Sequence, residues 1–402
     1  MPVSPGDLLA VPLRDPGRCS FPCRDRSPPA RMRILLLSAY DAPSHRQWRE
    51  GLVHRLNDFQ WTVLTLPPRN FAWRSRGNAL TWAMGELKDL DKEFDLVLAT
   101  SMTDLASLRG MAPSLARVRT IVYFHENQFA YPERAARKEY PNYKLTNLYT
   151  ALSAHKVVFN SRHNKDTFLL GTRDFLKQMP DGVPAGVVEA LERRTVVLPV
   201  PLEEAFFYDK PKRLSGPVRI LWNHRWEHDK APDRFFAALA RLMEKDVPFF
   251  VHVLGQRFRE VPPVFVRARE RLGNRVRKWG FIEDEKRYRK ILRTSDVVVS
   301  TALHDFQGLA VMEAVAAGCV PVVPDRLAYR EFFPDECRFP SRPGEPEAES
   351  AELARRLLGF CDDPRGTRSI ATPDLSRLSW AVLGSGYREI IEETAAGETI
   401  GD

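Results

Sequence analysis

The sequence has little of what marks secreted, membrane-spanning or metal-binding proteins. Its 402 residues include five cysteines, at Cys19, Cys23, Cys319, Cys337 and Cys361. This odd number lacks the paired spacing of a zinc site and favours free thiols in a reducing compartment. No apolar run reaches the roughly 18 residues of a membrane span, and no apolar signal segment precedes the first predicted strand. We therefore expect a cytoplasmic chain with no stable membrane insertion and no bound metal.

Three motifs of nucleotide and hydrolase chemistry are also missing. The chain has no P-loop, no G-x-G-x-x-G and no G-x-S-x-G. Their absence argues against a kinase-like ATPase, a dinucleotide-dependent oxidoreductase and a serine hydrolase, respectively. An H-x-x-E-H string does occur from His224 to His228. It lies between a predicted strand and Pro232, which leaves no room for the uninterrupted helix that this zinc motif requires.

The chain is long and moderately basic. An apolar content of 44% over 402 residues is enough for two domains, each with its own core. The 60 Lys and Arg residues outnumber the 52 Asp and Glu residues. This surplus favours anionic partners, such as nucleotide phosphates, RNA or acidic lipids, without choosing among them. Residues 1–31 are rich in Pro and Arg and lack an apolar period, so we expect a disordered or misassigned tail before a folded start at Met32.

Short apolar strands alternate with helical stretches in the first half of the chain. The predicted strands are Arg33 to Ser38, Trp61 to Leu66, Asp95 to Thr100, Thr120 to Phe124, Lys156 to Phe159 and Thr195 to Val200. This alternation is typical of a doubly wound parallel sheet, in which ligands bind at the carboxyl ends of the strands.

A proline-punctuated connector, including Asp209 to Arg213, separates this series from a second one. The second set of predicted strands is Val218 to Trp222, Phe249 to Leu254, Val276 to Trp279, Asp296 to Ser300 and Val320 to Pro324. We therefore predict two α/β domains, at 32–205 and 216–375, with a cleft between them. A closing helix is expected at 376–392, with a frayed end after Glu392.

Arg225 and Lys230 follow the strand that ends at Trp222 and precede Pro232, which suits the first turn of a helix. Two cations between a strand end and a helix N-terminus would suit a diphosphate, because guanidinium binds oxygens in a fork and ammonium adds a point charge. The alternative interpretation is that Arg225 and Lys230 are two surface cations on a loop, which would show the same spacing.

The segment from Asp305 to Glu313 places one carboxylate in a loop after a strand and another in the first turns of the next helix. Backbone amides around Gly308 would approach phosphate or sugar oxygens closely, since no Cβ intervenes. Helix caps or dipole partners would be an alternative role for these acids. His125, Glu126, Asn127 and Gln128 follow another strand, where they would suit hydroxyl recognition, or a structural role for the histidine.

Together these residues resemble the family 4 retaining glycosyltransferases. Asp305 to Glu313 is similar to that family's E-x7-E signature, although the first acid is Asp; Arg225 and Lys230 resemble its diphosphate pair. His125 resembles its active-site histidine. The resemblance covers Met32 to about residue 392. It implies a GT-B fold, in which two Rossmann-like doubly wound domains face each other across a cleft.

A narrower resemblance is to the tRNA-queuosine α-mannosyltransferase family. It rests on five strings: Tyr123-Phe-His-Glu-Asn-Gln128 with Tyr131-Pro132, Val158-Phe-Asn-Ser161, Ser44-His45, Arg225 between tryptophans, and His304-Asp305-Phe306. The residues Asp41-Ala-Pro-Ser44 depart from the paired glycines of that family's first loop. The resemblance implies transfer of mannose from the donor substrate GDP-mannose to queuosine in a tRNA anticodon, with retention and without a metal or other cofactor.

The resemblance also implies roles for individual residues. Expected catalytic residues are His125, Arg225, Lys230 and Glu313. Expected donor contacts are Arg225, Lys230, Asp305, Phe306, Gln307, Gly308, Leu309 and Glu313. Expected acceptor contacts are Ser44, His45, Arg74, Glu126, Asn127 and Asn160.

A tRNA acceptor also agrees with a predicted exposed loop containing Arg69, Trp73, Arg74 and Arg76, where cations alternate with an aromatic ring that would stack on a base. A solvated loop is the alternative. Two rival functions remain at this point. One is transfer to a lipid or polysaccharide, which predicts an amphipathic basic helix that the sequence does not clearly contain. The other is an RNA-binding protein without enzymatic activity.

Overall fold

The computed structural model describes residues 31–88, 93–131, 140–207, 215–257 and 261–397. From Met32 onward the chain belongs to one compact unit. The predicted tail before Met32, Pro132 and the connector at 209–213 lie outside the described residues, apart from Arg31.

The first half forms a parallel sheet of six strands in the order β2-β1-β3-β4-β5-β6. Its strands are β1 Arg33–Ser38, β2 Gln60–Thr65, β3 Leu96–Thr100, β4 Arg119–Phe124, β5 Lys156–Phe159 and β6 Thr195–Val197. Its helices are α1 Pro43–Arg55, α2 Phe71–Met84, α3 Leu105–Met111, α4 Tyr140–Leu152, α5 Arg162–Lys177 and α6 Val187–Glu192.

The second half forms another parallel sheet of six strands, in the order β12-β11-β10-β7-β8-β9. Its strands are β7 Val218–Asn223, β8 Phe249–Leu254, β9 Val276–Gly280, β10 Val297–Val299, β11 Val320–Pro324 and β12 Arg338–Phe339. Its helices are α7 Pro232–Glu244, α8 Val264–Leu272, α9 Glu285–Arg293, α10 Leu309–Ala316, α11 Tyr329–Phe332, α12 Pro346–Asp362 and α13 Pro364–Ser369. The prediction of two doubly wound sheets is confirmed.

Strand β1 shows why these runs are apolar without alternation. Ile34 and Leu36 face one core cluster, while Leu35 and Leu37 face the cluster on the other side of the sheet. Both faces are buried because crossover helices cover them, so every position along the strand favours an apolar side chain.

The last helix, α14 Trp380–Ala396, returns to the first sheet. Trp380 and Tyr387 pack in the same core cluster as Trp48 and Tyr123. Trp48 donates a hydrogen bond to the Tyr387 hydroxyl at 3.1 Å. The prediction of fraying after Glu392 is wrong, because the helix continues for another turn to Ala396.

The topology fixes where a ligand would bind. In each sheet the order of the strands reverses direction at one point, where the connections from two adjacent strands run to opposite sides. This point lies between β1 and β3 in the first sheet and between β7 and β10 in the second. In doubly wound sheets the crevice opens beyond the carboxyl ends of the strands at this switch point. Arg225 and Lys230 follow β7, and Asp305 follows β10.

The predicted loop from Arg69 to Arg76 is wrong from Phe71 onward, where α2 begins. The buried positions Ser75, Asn78, Ala79 and Trp82 recur at helical spacing and fix this helix against the sheet.

Candidate active site

Lys230 lies in the short turn between β7 and α7. Its ammonium is buried, donates a hydrogen bond to the carbonyl of His304, and lies 3.2 Å from Asp229 Oδ2 and 3.9 Å from Asp305 Oδ2. The turn is held in place from the other side, because Thr301 Oγ1 donates to the carbonyl of Lys230 at 2.8 Å. Lys230 is therefore a fixed cation that links the ends of β7 and β10.

Arg225 is the second cation and is about half exposed, at 48%. Its Nη2 lies 3.1 Å from Glu227 Oε2. Burial by itself lowers the pKa of Arg225, but the charges of Glu227, Tyr131 and Asp229 outweigh it and raise the pKa. The guanidinium therefore keeps its charge and presents part of its surface to solvent in the cleft.

Asp305 is ionised and is held by hydrogen bonds from its own loop and from α11. Its Oδ1 accepts a hydrogen bond from the amide of Gly308 at 3.1 Å, and its Oδ2 accepts one from the Tyr329 hydroxyl at 3.2 Å. Burial raises the pKa of Asp305, but Lys230 and then His224 lower it more, so the net shift is downward. A carboxylate in this state accepts hydrogen bonds and does not donate them.

The backbone conformation at the N-terminus of α10 requires a glycine at position 308. Its φ is +82°, and a Cβ at this position would lie 2.7 Å from Cε1 of Tyr329.

We expect Gly308→Ala to destabilise the protein by about 1–2 kcal/mol and to weaken nucleotide binding, since it displaces Tyr329 from Asp305. Urea unfolding and GDP titration would measure both effects. Gly344→Ala is the matched control, because a Cβ there meets no atom within 4 Å. Unchanged affinity in Gly308→Ala would contradict the role of this loop.

Glu313 lies in the second turn of α10, where it is buried. Its Oε2 accepts a hydrogen bond from the Tyr288 hydroxyl at 2.6 Å, and its Oε1 accepts one from Gln47 Nε2 of α1 at 3.5 Å. Burial raises the pKa of Glu313 to about 7, although these two hydrogen bonds lower it. Tyr288 and Gln47 had no distinguishing motif in the sequence.

Two residues predicted to bind the donor also connect the two halves of the molecule. The side-chain amide of Gln307 pairs with the backbone of Val200, accepting from its N–H at 3.0 Å and donating to its carbonyl at 2.9 Å. The carbonyl of Phe306 accepts a hydrogen bond from Ser161 Oγ at 2.5 Å. Leu309 begins α10 and is partly buried against the core. The side chain of Gln307 is therefore an interdomain contact, and its contact with a donor stays a prediction.

His125 lies in an aromatic cluster beyond the end of β4. Its ring centroid is 4.1 Å from that of His45, 4.7 Å from Tyr123 and 4.8 Å from Trp48. Burial, and then the proximity of His45, hold its pKa well below the usual value. Its Nε2 is buried without a hydrogen-bond partner in the described part of the chain. His125 is therefore a neutral hydrogen-bonding group at pH 7.

Some of the predicted acceptor residues border this histidine. His45 is buried in the first turn of α1, with Nδ1 2.6 Å from the carbonyl of Tyr40, while Ser44 is exposed. Glu126 Oε2 accepts a hydrogen bond from the Tyr131 hydroxyl at 2.9 Å.

Asn127 and Asn160 make hydrogen bonds within the loop that carries His125. Asn127 is fully buried; its Nδ2 donates to Asn164 Oδ1 at 2.9 Å, and its Oδ1 accepts from the amides of Phe129 and Ala130. Asn160 Nδ2 donates to the carbonyl of His125 at 2.9 Å. Both side chains shape the loop that carries His125, and their contact with an acceptor stays a prediction.

The two halves meet over a single crevice. Gln47 contacts Glu313, Ser161 contacts Phe306, and the rings of Tyr131 and His304 lie 4.3 Å apart. The backbone amide of Arg162, in the first turn of α5, donates to Glu331 Oε2 at 2.8 Å. These contacts between the two halves lie beside Glu313, Phe306 and His304, near the strand ends that carry Lys230 and Asp305.

Two facing doubly wound sheets with this set of groups between them define a glycosyltransferase of the GT-B class. Solved structures agree on the fold. Sucrose-phosphate synthase from Thermosynechococcus elongatus superposes with a TM-score of 0.66 at 14% identity, covering 92% of this chain and 100% of that one. Anabaena HepE in complex with UDP superposes with a TM-score of 0.62 at 15% identity, covering 90% of this chain and all of that one.

The family follows from sequence comparison. Residues 33–202 match the tRNA-queuosine alpha-mannosyltransferase N-terminal family, and residues 206–360 match glycosyl transferases group 1. A tRNA-queuosine alpha-mannosyltransferase from Drosophila melanogaster is 34% identical over 345 residues, which cover 84% of this chain and 89% of the relative. The chain therefore belongs to the tRNA-queuosine alpha-mannosyltransferase family. Within the described residues, no helix has the length and hydropathy needed to cross a membrane.

Proposed function

We propose that this enzyme transfers mannose from GDP-mannose to the queuosine base of a tRNA anticodon, with retention of configuration. The observation that carries the proposal is the pairing of the buried Lys230 with Asp305 between the ends of β7 and β10, beside contacts such as Gln47 with Glu313 that join the two halves. Family membership supports the acceptor, and the net charge of +8 agrees with a polyanionic partner. The described cysteines Cys337 and Cys361 are free thiols, which supports a cytoplasmic reaction.

The proposed reaction forms a bond between the acceptor hydroxyl oxygen and the anomeric carbon as the bond to the diphosphate oxygen breaks on the same face. The proton of the acceptor hydroxyl passes to the departing diphosphate oxygen. Arg225 and Lys230 stabilise the negative charge that grows on the leaving diphosphate. Because these two cations supply the compensating positive charge, the proposed step needs no divalent metal.

The remaining groups position the reactants. Glu313 accepts hydrogen bonds from the ribose, and Asp305 accepts them from the sugar. His125, neutral at pH 7, contributes a hydrogen bond through its unpartnered Nε2.

The test is incubation with GDP-mannose and queuosine-containing tRNA, followed by mass analysis of the nucleosides. A gain of one hexose on queuosine supports the proposal, and activity that persists in EDTA supports the metal-free step. Donor hydrolysis with an unchanged nucleoside would instead indicate another acceptor. Thermal stabilisation by GDP, compared with UDP and ADP, identifies the donor base.

We expect GDP binding to tighten as the pH rises towards about 7. The pKa of Glu313 is about 7 in the free protein. Ribose hydroxyls donate stronger hydrogen bonds to the carboxylate than to the protonated acid, so binding below this pH favours loss of the proton. The affinity should then change by up to about tenfold per pH unit below the pKa and level off above it.

Calorimetric titration of GDP across this range would measure the effect. Glu313→Gln provides the control, because it removes the titrating group while leaving the ionisation of GDP unchanged. The same slope in Glu313→Gln and in the wild-type protein would show that another group titrates.

A further inference from the structure

An exposed tryptophan lies at the first turn of α2 with one face of its ring covered. Trp73 is 54% exposed. A Cβ built on Gly77, one helical turn further along, would lie 2.4 Å from Cε2 of the indole. The ring therefore lies flat across the bare backbone at Gly77 and presents its other face to solvent. An aromatic ring fixed in this way loses little conformational freedom when it stacks on a ligand.

Contacts between rings place this tryptophan near the rim of the cleft. Phe71, two residues earlier, makes an edge contact with Tyr40 at 5.7 Å between ring centroids. Burial and then the charge of Glu126 raise the pKa of Tyr40, while Arg225 lowers it. Tyr40 thus lies close to the proposed site. Because Phe71 is the first residue of α2 and contacts Tyr40, the start of this helix also lies near the site.

The chain segment that contains Trp73 carries charge of a single sign. Arg69, Arg74 and Arg76 flank the ring, and no acidic residue occurs between Leu66 and Gly85. Arg76 is anchored 3.4 Å from Asp104. Arg74 makes no ion pair with any described residue, and its buried Nε lacks a hydrogen-bond partner among them. A guanidinium in this state suits a phosphate.

We propose that Trp73 stacks on an unpaired base of the tRNA acceptor while Arg74 binds the adjoining phosphate. This inference rests on the proposed function. It assigns to the start of α2 a surface that binds the tRNA beside the crevice. An aromatic face beside cations is the combination by which proteins bind single-stranded nucleic acid, and anticodon loops present such bases.

The test measures binding of queuosine-containing tRNA directly, independently of sugar transfer. Trp73→Ala should weaken tRNA affinity by about 5- to 150-fold, and Trp73→Phe should restore part of it. Gly77→Ala should also weaken binding, because the new methyl group displaces the ring, even though alanine favours the helix. Arg74→Ala should lower the slope of log affinity against log salt by about one.

Met84→Ala is the matched control. Met84 is 64% exposed on the same helix, about 16 Å further along its axis, and its replacement should leave tRNA affinity unchanged. Thermal stabilisation by GDP should be unchanged in every variant, which separates the acceptor surface from the donor site.

Wild-type tRNA affinity in Trp73→Ala would overturn the proposal. The proposal would also be overturned if Trp73→Ala lost only binding to anionic phospholipid vesicles, or only self-association, and kept its tRNA affinity. If the wild-type protein bound tRNA through Trp73 but transferred no hexose, the stacking surface would stand and the proposed reaction would fail.

Discussion

Replacing Lys230 by methionine is expected to lower kcat/KM for sugar transfer by about a hundredfold to a thousandfold. The ammonium is a buried cation at the junction of the two strand ends, and it lies near both Asp229 and Asp305. Methionine keeps an unbranched stem of similar length but cannot balance the charge of a departing diphosphate. Steady-state transfer assays would measure the loss, and thermal stabilisation by GDP should fall in parallel.

The control for this prediction is Lys245→Met, at the exposed end of α7. It changes the net charge by the same amount but lies outside the crevice, so it should behave as the wild-type protein. Urea unfolding of both variants would establish that the fold is intact. Wild-type turnover in Lys230→Met would remove the diphosphate site from this part of the molecule.

The fold was predictable because its strands are buried on both faces. Runs such as β1, β5 and β8 show continuous apolar sequence, and their observed bounds equal the predicted ones. Strand β12 was missed since it has only two residues, Arg338–Phe339, and shows no apolar run. Helix α2 was missed because two arginines and Gly77 in its first turns favour a loop, whereas packing of Trp82 and Ala79 against the sheet overrides that preference.

The position of the site was predictable, but several of its contacts were not. Parallel strands bring their carboxyl ends to one edge of a sheet, so residues following the neighbouring strands β7 and β10 must lie near one another. The contacts of Gln47 and Tyr288 with Glu313 depend on how separate helices pack, and no local pattern encodes them. Polar residues after a strand are equally ambiguous: Asn127 serves its own loop, whereas His125 keeps a buried nitrogen without a described partner.

Replacing Glu349 by alanine is expected to destabilise the protein by about 3–5 kcal/mol. Glu349 lies in the first turns of α12, is 1% exposed, and forms ion pairs with both Arg234 and Arg326. Removing the carboxylate leaves two buried guanidinium groups without a counter-charge. Chemical unfolding monitored by tryptophan fluorescence would measure the loss. Glu347→Ala is the control, since Glu347 pairs with Arg241 at the surface of the same helix and should change stability by less than about 1 kcal/mol.

The same substitution should also weaken the donor site. Arg326 donates hydrogen bonds to the carbonyls of Thr301 at 3.1 Å and Ala302 at 2.8 Å, in the segment that leads from β10 to Asp305. Glu349 orients Arg326, so its loss should loosen this segment and lower GDP affinity at temperatures where the protein remains folded. Destabilisation with unchanged GDP affinity would show that the ion pairs support only the core, and that Asp305 is held by Gly308 and Tyr329 alone.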